Sequence, residues 1–308
     1  MIAPATLPWW ERNLKLAQEV KRFVYTGGRA PRHVTYVIID KSVKFIPFRA
    51  FYCCDKLNHV TMHDGIEGIG KEAFANCATL KGIDITNVRV VDEMAFSCCY
   101  HLATLKNSKQ LEKIGVQAFL DCSSLDGVDL PSVRVIEASG FAGCTNMKYA
   151  NLGKCIEALE RSAFYYCICL KRLRFDFDDK KISIASEVFD CCRQLSSIQL
   201  ATSVHELISS LGLVQWQDDI NQEVDQINNA LPDLDHSQKT EELSQWIDSI
   251  QGKIESYKYM ESTSLLELAL WKASMSGIGE ASVSEREKYR INCGAAVVIP
   301  NVLTFVKQ

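Results

Sequence analysis

A repeat of 22 to 25 residues constrains the fold of this chain more than any other feature of its sequence. A phenylalanine recurs seven times, with steps of 23, 22, 23, 22, 23 and 25 residues. A fixed period of this length predicts a solenoid, in which each repeat forms one coil and equivalent side chains stack above one another. The repeated phenylalanines are Phe51, Phe74, Phe96, Phe119, Phe141, Phe164 and Phe189.

Four other positions of the repeat are small or apolar in every copy. The residue six places after each Phe is Leu or Met. The residue five places before it is Ile, Val or Leu, and the residue directly before it is Ala in five copies. We expect these positions to form interior ladders, because one coil alone cannot bury its apolar side chains. A cysteine stands three residues after each Phe, at Cys54, Cys77, Cys99, Cys122, Cys144, Cys167 and Cys192.

The end of each repeat alternates with period two. Apolar residues stand nine and eleven places after most of the phenylalanines, as with Ile83 and Ile85, and this pattern predicts a short strand with one buried face. The third copy departs from it by pairing Leu105 with Asn107. Residues eight and ten places after each Phe then point outward, either as ordinary solvated positions or as a surface that binds a partner. The candidate partner-binding residues are His59, Thr61, Asp84, Thr104, Lys106, Asp129, Tyr149, Asn151, Arg172, Arg174, Ser197 and Gln199.

Three segments carry a family resemblance: IGKEAFANCATLKGIDI, IGVQAFLDCSSLDGVDLP and IEASGFAGCTNMKYANL. Over about residues 43–200 the chain resembles the BspA-type leucine-rich repeat. The resemblance implies a solenoid fold and a role in interaction or adhesion, and it names no partner.

The sequences on either side of the repeats predict elements that cover the two ends of the solenoid. At the amino end, Trp9 to Phe23 suggest a short helix over the first coil, and HVTYVIID alternates like a strand. After Leu200 the apolar period becomes 3.6, first at Ile220, Val224, Ile227 and Leu231, and after Pro232 at Leu243, Trp246, Ile250, Ile254 and Tyr257. This pattern predicts an antiparallel helical hairpin, whose second helix continues to Trp271 in its longest form.

We therefore predict an α+β fold, a leucine-rich-repeat solenoid of about seven coils followed by an α-helical hairpin. The expected domains are an amino-terminal cap (1–42), the solenoid (43–202), the hairpin (203–273) and a carboxyl-terminal packing segment (274–308). The apolar segment Tyr289–Val306 packs on the hairpin or the last coil in one interpretation, and forms a dimer contact in the other.

Composition excludes several classes of protein. The 308 residues are 47% hydrophobic and 23% charged, which is typical of a globular chain and not of a disordered one. The longest nearly apolar stretch has 13 residues, too few to cross a bilayer, and we find no signal peptide at the amino end. A net charge of −4 argues against nucleic-acid binding. Residues 203–308 hold 16 acidic and 8 basic residues, so the hairpin has an acidic surface that is either solvated or docks a basic partner.

The cysteine count of 13 is odd, and the sequence has no Asn-x-Ser/Thr sequon and no Cys-x-x-Cys pair. Free thiols in a reducing compartment are the better interpretation, so we expect an intracellular, cytoplasmic protein.

The sequence motifs that could indicate phosphate binding, metal binding or catalysis are weak. Gly65, Gly70 and Lys71 match most of a phosphate-binding loop, but Glu72 occupies the place of the required Ser or Thr. His59 and His63 are four residues apart but are expected on a strand and a loop, so they do not predict a metal site. We expect no cofactor, no metal and no catalysis.

The first functional hypothesis is a non-catalytic scaffold for protein–protein interaction. The alternatives are an enzyme, or a regulatory subunit of an enzyme, built on the repeat, and a carbohydrate-binding surface module. The repeat pattern specifies neither a particular partner nor an oligomeric state.

Overall fold

The computed structural model describes residues 22–106, 109–176, 181–201 and 214–256. Short parallel strands stack into a solenoid of about seven turns, and two helices follow it: α1 (Val214–Ala230) and α2, which runs from residue 239 through 256. The strands are β1 (Arg22–Tyr25), β2 (Tyr36–Ile39), β3 (Phe45–Ile46), β4 (His59–Thr61), β5 (Gly68–Ile69), β6 (Gly82–Asp84), β7 (Val90–Val91), β8 (Thr104–Lys106), β9 (Lys113–Ile114), β10 (Gly127–Leu130), β11 (Val135–Ile136), β12 (Tyr149–Leu152), β13 (Ala158–Leu159), β14 (Arg172–Phe175), β15 (Ser183–Ile184) and β16 (Ser197–Leu200).

Each coil contributes one strand to each of two sides of the solenoid. The two-residue strands β3, β5, β7, β9, β11, β13 and β15 form one continuous seven-stranded sheet. The longer strands form the other side, in the paired sets β1-β2-β4, β6-β8 and β10-β12-β14-β16. The predicted alternation is confirmed there, since β10, β12 and β14 each bury their second and fourth residues.

The phenylalanine ladder is confirmed. All seven rings are fully buried, and successive ring centroids lie 4.9 to 5.8 Å apart with planes tilted by 1° to 11°. Tyr25 extends the stack at the amino end, with its ring 4.7 Å from that of Phe51. Its hydroxyl donates to the carbonyl of Gly28 at 2.7 Å, and burial raises the pKa of Tyr25 to about 12.

A ladder of backbone hydrogen bonds between coils, the turn ladder, runs through the turn that contains each Phe. The residues two places before and two places after every Phe have positive φ, and all but Gly143 are not glycine. In the coil of Phe96, the N–H groups of Met94, Phe96 and Cys98 donate to carbonyls of the next coil at 2.7 to 2.8 Å. Left-handed backbone costs a non-glycine residue about 1–2 kcal/mol, which these bonds between coils offset.

The cysteines of the repeat face this turn. From Cys77 onward, each Sγ donates to the carbonyl of the ladder Phe in the preceding coil at 3.1 to 3.3 Å, as Cys122 does to Phe96. Cys54 donates to the carbonyl of Pro31 at 3.7 Å. A thiol therefore serves here as a small buried donor between coils.

The amino-terminal region matches the prediction in part. The predicted strand is β2, which pairs with β4. The helix prediction is wrong at Phe23, because Phe23 lies in β1 and pairs with Val37. Alternation along β1 buries Tyr25 at the end of the ring stack, which helical spacing would not achieve. The remainder of the predicted helix, Trp9 to Val20, lies outside the described residues.

The two predicted carboxyl-terminal helices are present. Apolar residues of both helical segments are buried in the same core cluster as the solenoid. They are Ile220, Ile227 and Leu231 before or at the turn that contains Pro232, and Leu243, Trp246, Ile250 and Ile254 in α2. Pro232 follows the end of α1 in a turn. The indole N–H of Trp246 donates to the carbonyl of Glu223 at 3.1 Å and joins the two helices. Tyr257, the continuation to Trp271, and Tyr289–Val306 lie outside the described residues.

Side chains of the helices take the place of an eighth coil. Within the solenoid Phe164 N donates to the carbonyl of Val188, whereas Phe189 N donates to Thr240 Oγ1 at 2.9 Å. The same hydroxyl donates to Asp190 Oδ1 at 2.7 Å. Asn228 pairs with the backbone of Ile198 in β16, accepting from its N–H at 2.6 Å and donating to its carbonyl at 3.2 Å.

Lys239 completes this cap. Its side chain is buried, and Nζ donates to the carbonyls of Cys192, Arg193 and Leu195 at 2.9 to 3.3 Å. Burial lowers the pKa of Lys239. Lys239 thus supplies donors to the Arg193 and Leu195 carbonyls at the end of the stack, where unpaired buried acceptors are costly, and a second donor to the Cys192 carbonyl, which also accepts from Leu195 N.

We expect Phe119→Ala to lower the free energy of unfolding by about 3–5 kcal/mol, because it opens a cavity in the middle of the ring stack. Chemical denaturation followed by circular dichroism measures the change. Phe48→Ala is the control, since Phe48 is 57% exposed, and its effect should be small. Equal effects of the two substitutions would contradict the ladder.

We expect Thr240→Val to lower the free energy of unfolding by about 1–3 kcal/mol, because it keeps the side-chain volume but leaves Phe189 N without its acceptor. Urea titration measures this loss, and Ser249→Ala on the exposed side of α2 is the control. An unchanged midpoint for Thr240→Val would show that the hydroxyl does not cap the last coil.

Candidate functional site

The outward side chains of the longer strands form one surface, the strand face, in two columns. Strand register places Tyr36 beside His59, Gly82 beside Thr104, and Gly127, Tyr149, Arg172 and Ser197 in a row, which together make the first column. The second column holds Ile38 beside Thr61, Asp84 beside Lys106, and the row Asp129, Asn151, Arg174 and Gln199. All twelve candidate residues therefore lie in these two columns.

An aromatic stack stands at the amino end of the strand face. The rings of Tyr36 and His59 lie 4.7 Å apart at 27°, and the guanidinium of Arg22 lies 5.4 Å from the centre of the Tyr36 ring. The Tyr36 and Thr61 hydroxyls form a hydrogen bond of 3.1 Å. Sequence analysis missed Tyr36 and Arg22 because they precede the first complete repeat, although the alternation in YVII places Tyr36 on the outward side.

Two glycines break the first column, and their surroundings differ. The Tyr149 ring lies over Gly127, since a Cβ there would be 2.3 Å from the ring. A Cβ at Gly82 would lie 2.7 Å from the hydroxyl oxygen of Thr104, and no other side chain would come within 4 Å of it. A groove of about 410 Å³ lies at Gly82, with His59, Thr61, Asp84 and Thr104 in its lining. The candidate residues were identified by their outward side chains, so Gly82 and Gly127 were not among them.

Polar contacts fix several side chains of the second column. Asp84 Oδ1 accepts from the N–H and the hydroxyl of Thr86, at 3.1 and 2.6 Å. The Asn151 amide donates to Asp129 Oδ1. A smaller groove of about 200 Å³ is lined by residues that include Asp129, Asn151 and Arg174.

The carboxyl half of the strand face is basic. Lys171, Arg172 and Arg174 are exposed, and no acidic group of the described residues forms an ion pair with either arginine. Burial raises the pKa of the neighbouring Tyr149, and Arg172 opposes that shift. Arg49, Arg89, Arg134 and Arg161 are paired between coils, as Arg89 is with Glu112 at 2.6 Å and Arg134 with Glu157 at 3.0 Å.

The residues considered for chemistry are occupied with structural contacts. Lys71 Nζ binds Glu93 at 2.8 Å and Glu72 binds Arg49 at 2.7 Å, so the glycine-rich segment carries an ion-pair ladder between coils. Nε2 of His63 lies 3.0 Å from the carbonyl of Val43. Within the described ranges no three His, Cys, Asp or Glu side chains are grouped as a metal site.

The buried thiols are poor nucleophiles. Burial raises the pKa values of Cys77, Cys99, Cys144 and Cys192 well above the ordinary range, and that of Cys54 to about 11. Only the thiolate reacts readily, so these side chains are inert at neutral pH.

The repeats of this chain match a family of known proteins. The family described as "BspA type Leucine rich repeat region" matches residues 30–148 and 113–211 in six copies. Among curated protein sequences, none matches significantly. Across the described part of the chain, no helix is both long enough and apolar enough to span a bilayer.

Solved structures of bacterial leucine-rich repeat proteins are similar. A leucine-rich repeat protein of T. pallidum is 24% identical, covering 56% of this chain and 71% of its own, with a TM-score of 0.40. One from Bacteroides ovatus is 22% identical, covering 58% and 59%, with a TM-score of 0.37. A leucine rich cell surface protein of Faecalibacterium prausnitzii is 20% identical, covering 55% and 60%, with a TM-score of 0.27. The match thus spans less than two thirds of the latter two proteins.

We expect iodoacetamide at pH 8 to label Cys53, Cys155 and Cys169 in the native protein well before Cys77 and Cys99. The first three thiols are partly exposed, whereas the last two are buried and protonated. Mass spectrometry of digested peptides gives the extent at each site, and labelling in denaturant is the control. Equal rates for both groups in the native protein would contradict the thiol ladder.

Proposed function

We propose that this chain, which belongs to the BspA-type leucine-rich repeat family, is a non-catalytic scaffold that binds an extended segment of a protein partner across the strand face. The observation that carries the proposal is the pair of outward columns on parallel strands, in which Arg172 and Arg174 of β14 have no ion-pair partners among the described residues. A segment that crosses the strands meets one new pair of side chains about every 4.8 Å.

Rigidity supports this role. The ring stack, the turn ladder and the helical cap hold each strand in place. A preformed surface loses little conformational entropy on binding, so more of the contact energy appears as affinity. The non-catalytic part of the proposal rests on the structural roles of the buried thiols and of Lys71.

The second candidate function is carbohydrate binding. The Tyr36–His59 stack and Tyr149 give the strand face more aromatic surface than the twelve candidate residues alone suggest. Aromatic rings with nearby polar groups suit sugar rings, whose C–H faces are apolar. An array of immobilised glycans distinguishes the two candidates, since a protein-binding scaffold gives no saturable glycan signal.

An intracellular, cytoplasmic location completes the proposal. Seven thiols of the repeat are used as hydrogen-bond donors toward backbone carbonyls. Thiols persist in a reducing compartment, and oxidation of a ladder cysteine would remove a donor between coils.

We expect the double substitution Arg172→Glu with Arg174→Glu to weaken partner binding at least about tenfold, or 1.4 kcal/mol, because it reverses the charge of the basic half of the strand face. Affinity capture from cells of the source organism, quantified by mass spectrometry for wild type and variants, identifies the proteins lost.

The matched control is Arg89→Glu with Arg134→Glu, which changes two exposed arginines away from the strand face. Proteins that depend on the strand face are retained by the control and lost by the first variant. Identical sets of captured proteins for wild type and the Arg172, Arg174 variant would contradict the proposal.

A further inference from the structure

Two arginines of the strand face have only uncharged residues beside them in register. Arg172 and Arg174 are both exposed and both point outward from β14, about 6.6 Å apart along the strand. Neither forms an ion pair with any residue that the structure describes. Their neighbours on β12 and β16 are Tyr149 and Ser197 beside Arg172, and Asn151 and Gln199 beside Arg174. The two guanidiniums are therefore available to one shared ligand.

Acidic side chains close to this pair have partners of their own. Asp129 lies two strand spacings from Arg174, about 9.6 Å, and accepts from the amide of Asn151. Asp176 follows Arg174 by two residues and is engaged in an interaction of its own. Lys171 adds a third exposed positive charge directly before β14. The balance of charge at β14 therefore favours an anion.

The direction of the bound segment decides which anion fits. A segment that crosses the strands meets one new pair of outward side chains about every 4.8 Å, so a single residue of the partner faces both arginines of β14. A carboxylate has two oxygens and is satisfied by the fork of one guanidinium. A phosphate on serine or threonine has three free oxygens and a charge of about −1.5 to −2 at pH 7, so it can accept from both forks at once.

We propose that Arg172 and Arg174 together bind the phosphate of a phosphoserine or phosphothreonine in the extended segment of the partner. Each guanidinium donates to the phosphate from one side. The hydroxyl of Ser197 and the amide of Gln199 lie beside the two arginines on the next strand and supply further donors. Lysine in place of either arginine would attract the anion but would lack the fork that holds it. The inference rests on the proposed function, since it specifies the residue that the partner presents.

The test is a fluorescence anisotropy titration of the full chain against labelled heptapeptides at pH 7.5, where the phosphate is mostly dianionic. The central residue is phosphoserine, glutamate or serine, and the other positions are a mixture of all residues except cysteine. The phosphoserine peptides should bind at least about fivefold more tightly than the glutamate peptides, because only the phosphate satisfies both forks. The serine peptides should show no saturable binding.

Substitutions of single arginines locate the site. Arg172→Gln and Arg174→Gln should each weaken binding of the phosphoserine peptides about fivefold or more. Arg89→Gln is the control, because it removes one positive charge from an exposed arginine away from the strand face and should leave the affinity unchanged. All three arginines are exposed, so the variants should keep the fold, which circular dichroism checks.

A lysine variant separates the fork from the charge. Arg172→Lys combined with Arg174→Lys keeps the net charge but removes both forks, so it should lose the preference for phosphoserine over glutamate. A preference retained by this variant would mean that charge alone attracts the phosphate, and it would overturn the inference.

Equal binding of the phosphoserine and glutamate peptides also overturns the inference, as does an absence of saturable binding by the phosphoserine peptides or an unchanged affinity in either glutamine variant. Failure of the proposed function is measured separately, by affinity capture with and without phosphatase treatment of the cell extract. Proteins whose capture depends on Arg172 and Arg174 but survives phosphatase treatment would uphold the scaffold and contradict the phosphate site.

Discussion

The distance between neighbouring strands governs this molecule. Parallel strands lie about 4.8 Å apart, and the phenylalanine rings stack at 4.9 to 5.8 Å, so backbone pairing and ring contact are satisfied by the same translation. Every other regular feature repeats with it: the thiol bonds, the turn ladder and the ion pairs between coils. A side chain wider than this spacing would separate the strands, which accounts for the planar ring at the centre of each coil.

A stack of identical layers has two ends, and each end is closed by a different device. Tyr25 and β1 close the amino end with a partial coil, and Tyr25 extends the aromatic stack. At the carboxyl end Thr240, Asn228 and Lys239 supply, from helices, the donors and acceptors of a missing coil. The helices are thereby bound to the solenoid by specific hydrogen bonds as well as by apolar packing.

Sequence analysis predicted what is periodic and missed what is local. The positions of Phe, Cys and the outward residues follow from the period, and the structure places them in ladders and columns. The left-handed residues escaped notice because Met94 or Gln117 is not typical of positive φ, and only the stacking of coils imposes that backbone. The helix expected at Phe23 was wrong, because a single apolar residue at the edge of a segment fits both periods.

The candidate site was predictable to the same extent. The repeat located all twelve candidate residues, but a groove depends on what is absent, and Gly82 carries no side chain to align. Tyr36 stands one period of 23 residues before His59, but the place of the phenylalanine in its own coil is taken by Gly28, so the repeat was not followed back to Tyr36. The capping role of Thr240 depends on a contact between residues 51 positions apart in the sequence, which no local pattern encodes.

The turn ladder has an electrical consequence. Its N–H groups all point toward the carboxyl end of the solenoid, from Arg49 donating to Lys71 through to Cys191 donating to His236. Aligned peptide dipoles add, as they do along an α-helix. This side of the solenoid is therefore polarised, with its positive pole under the helical cap beside Asp190, whereas N–H groups of the seven-stranded side, such as that of Gly70 donating to Ile46, point toward the amino end.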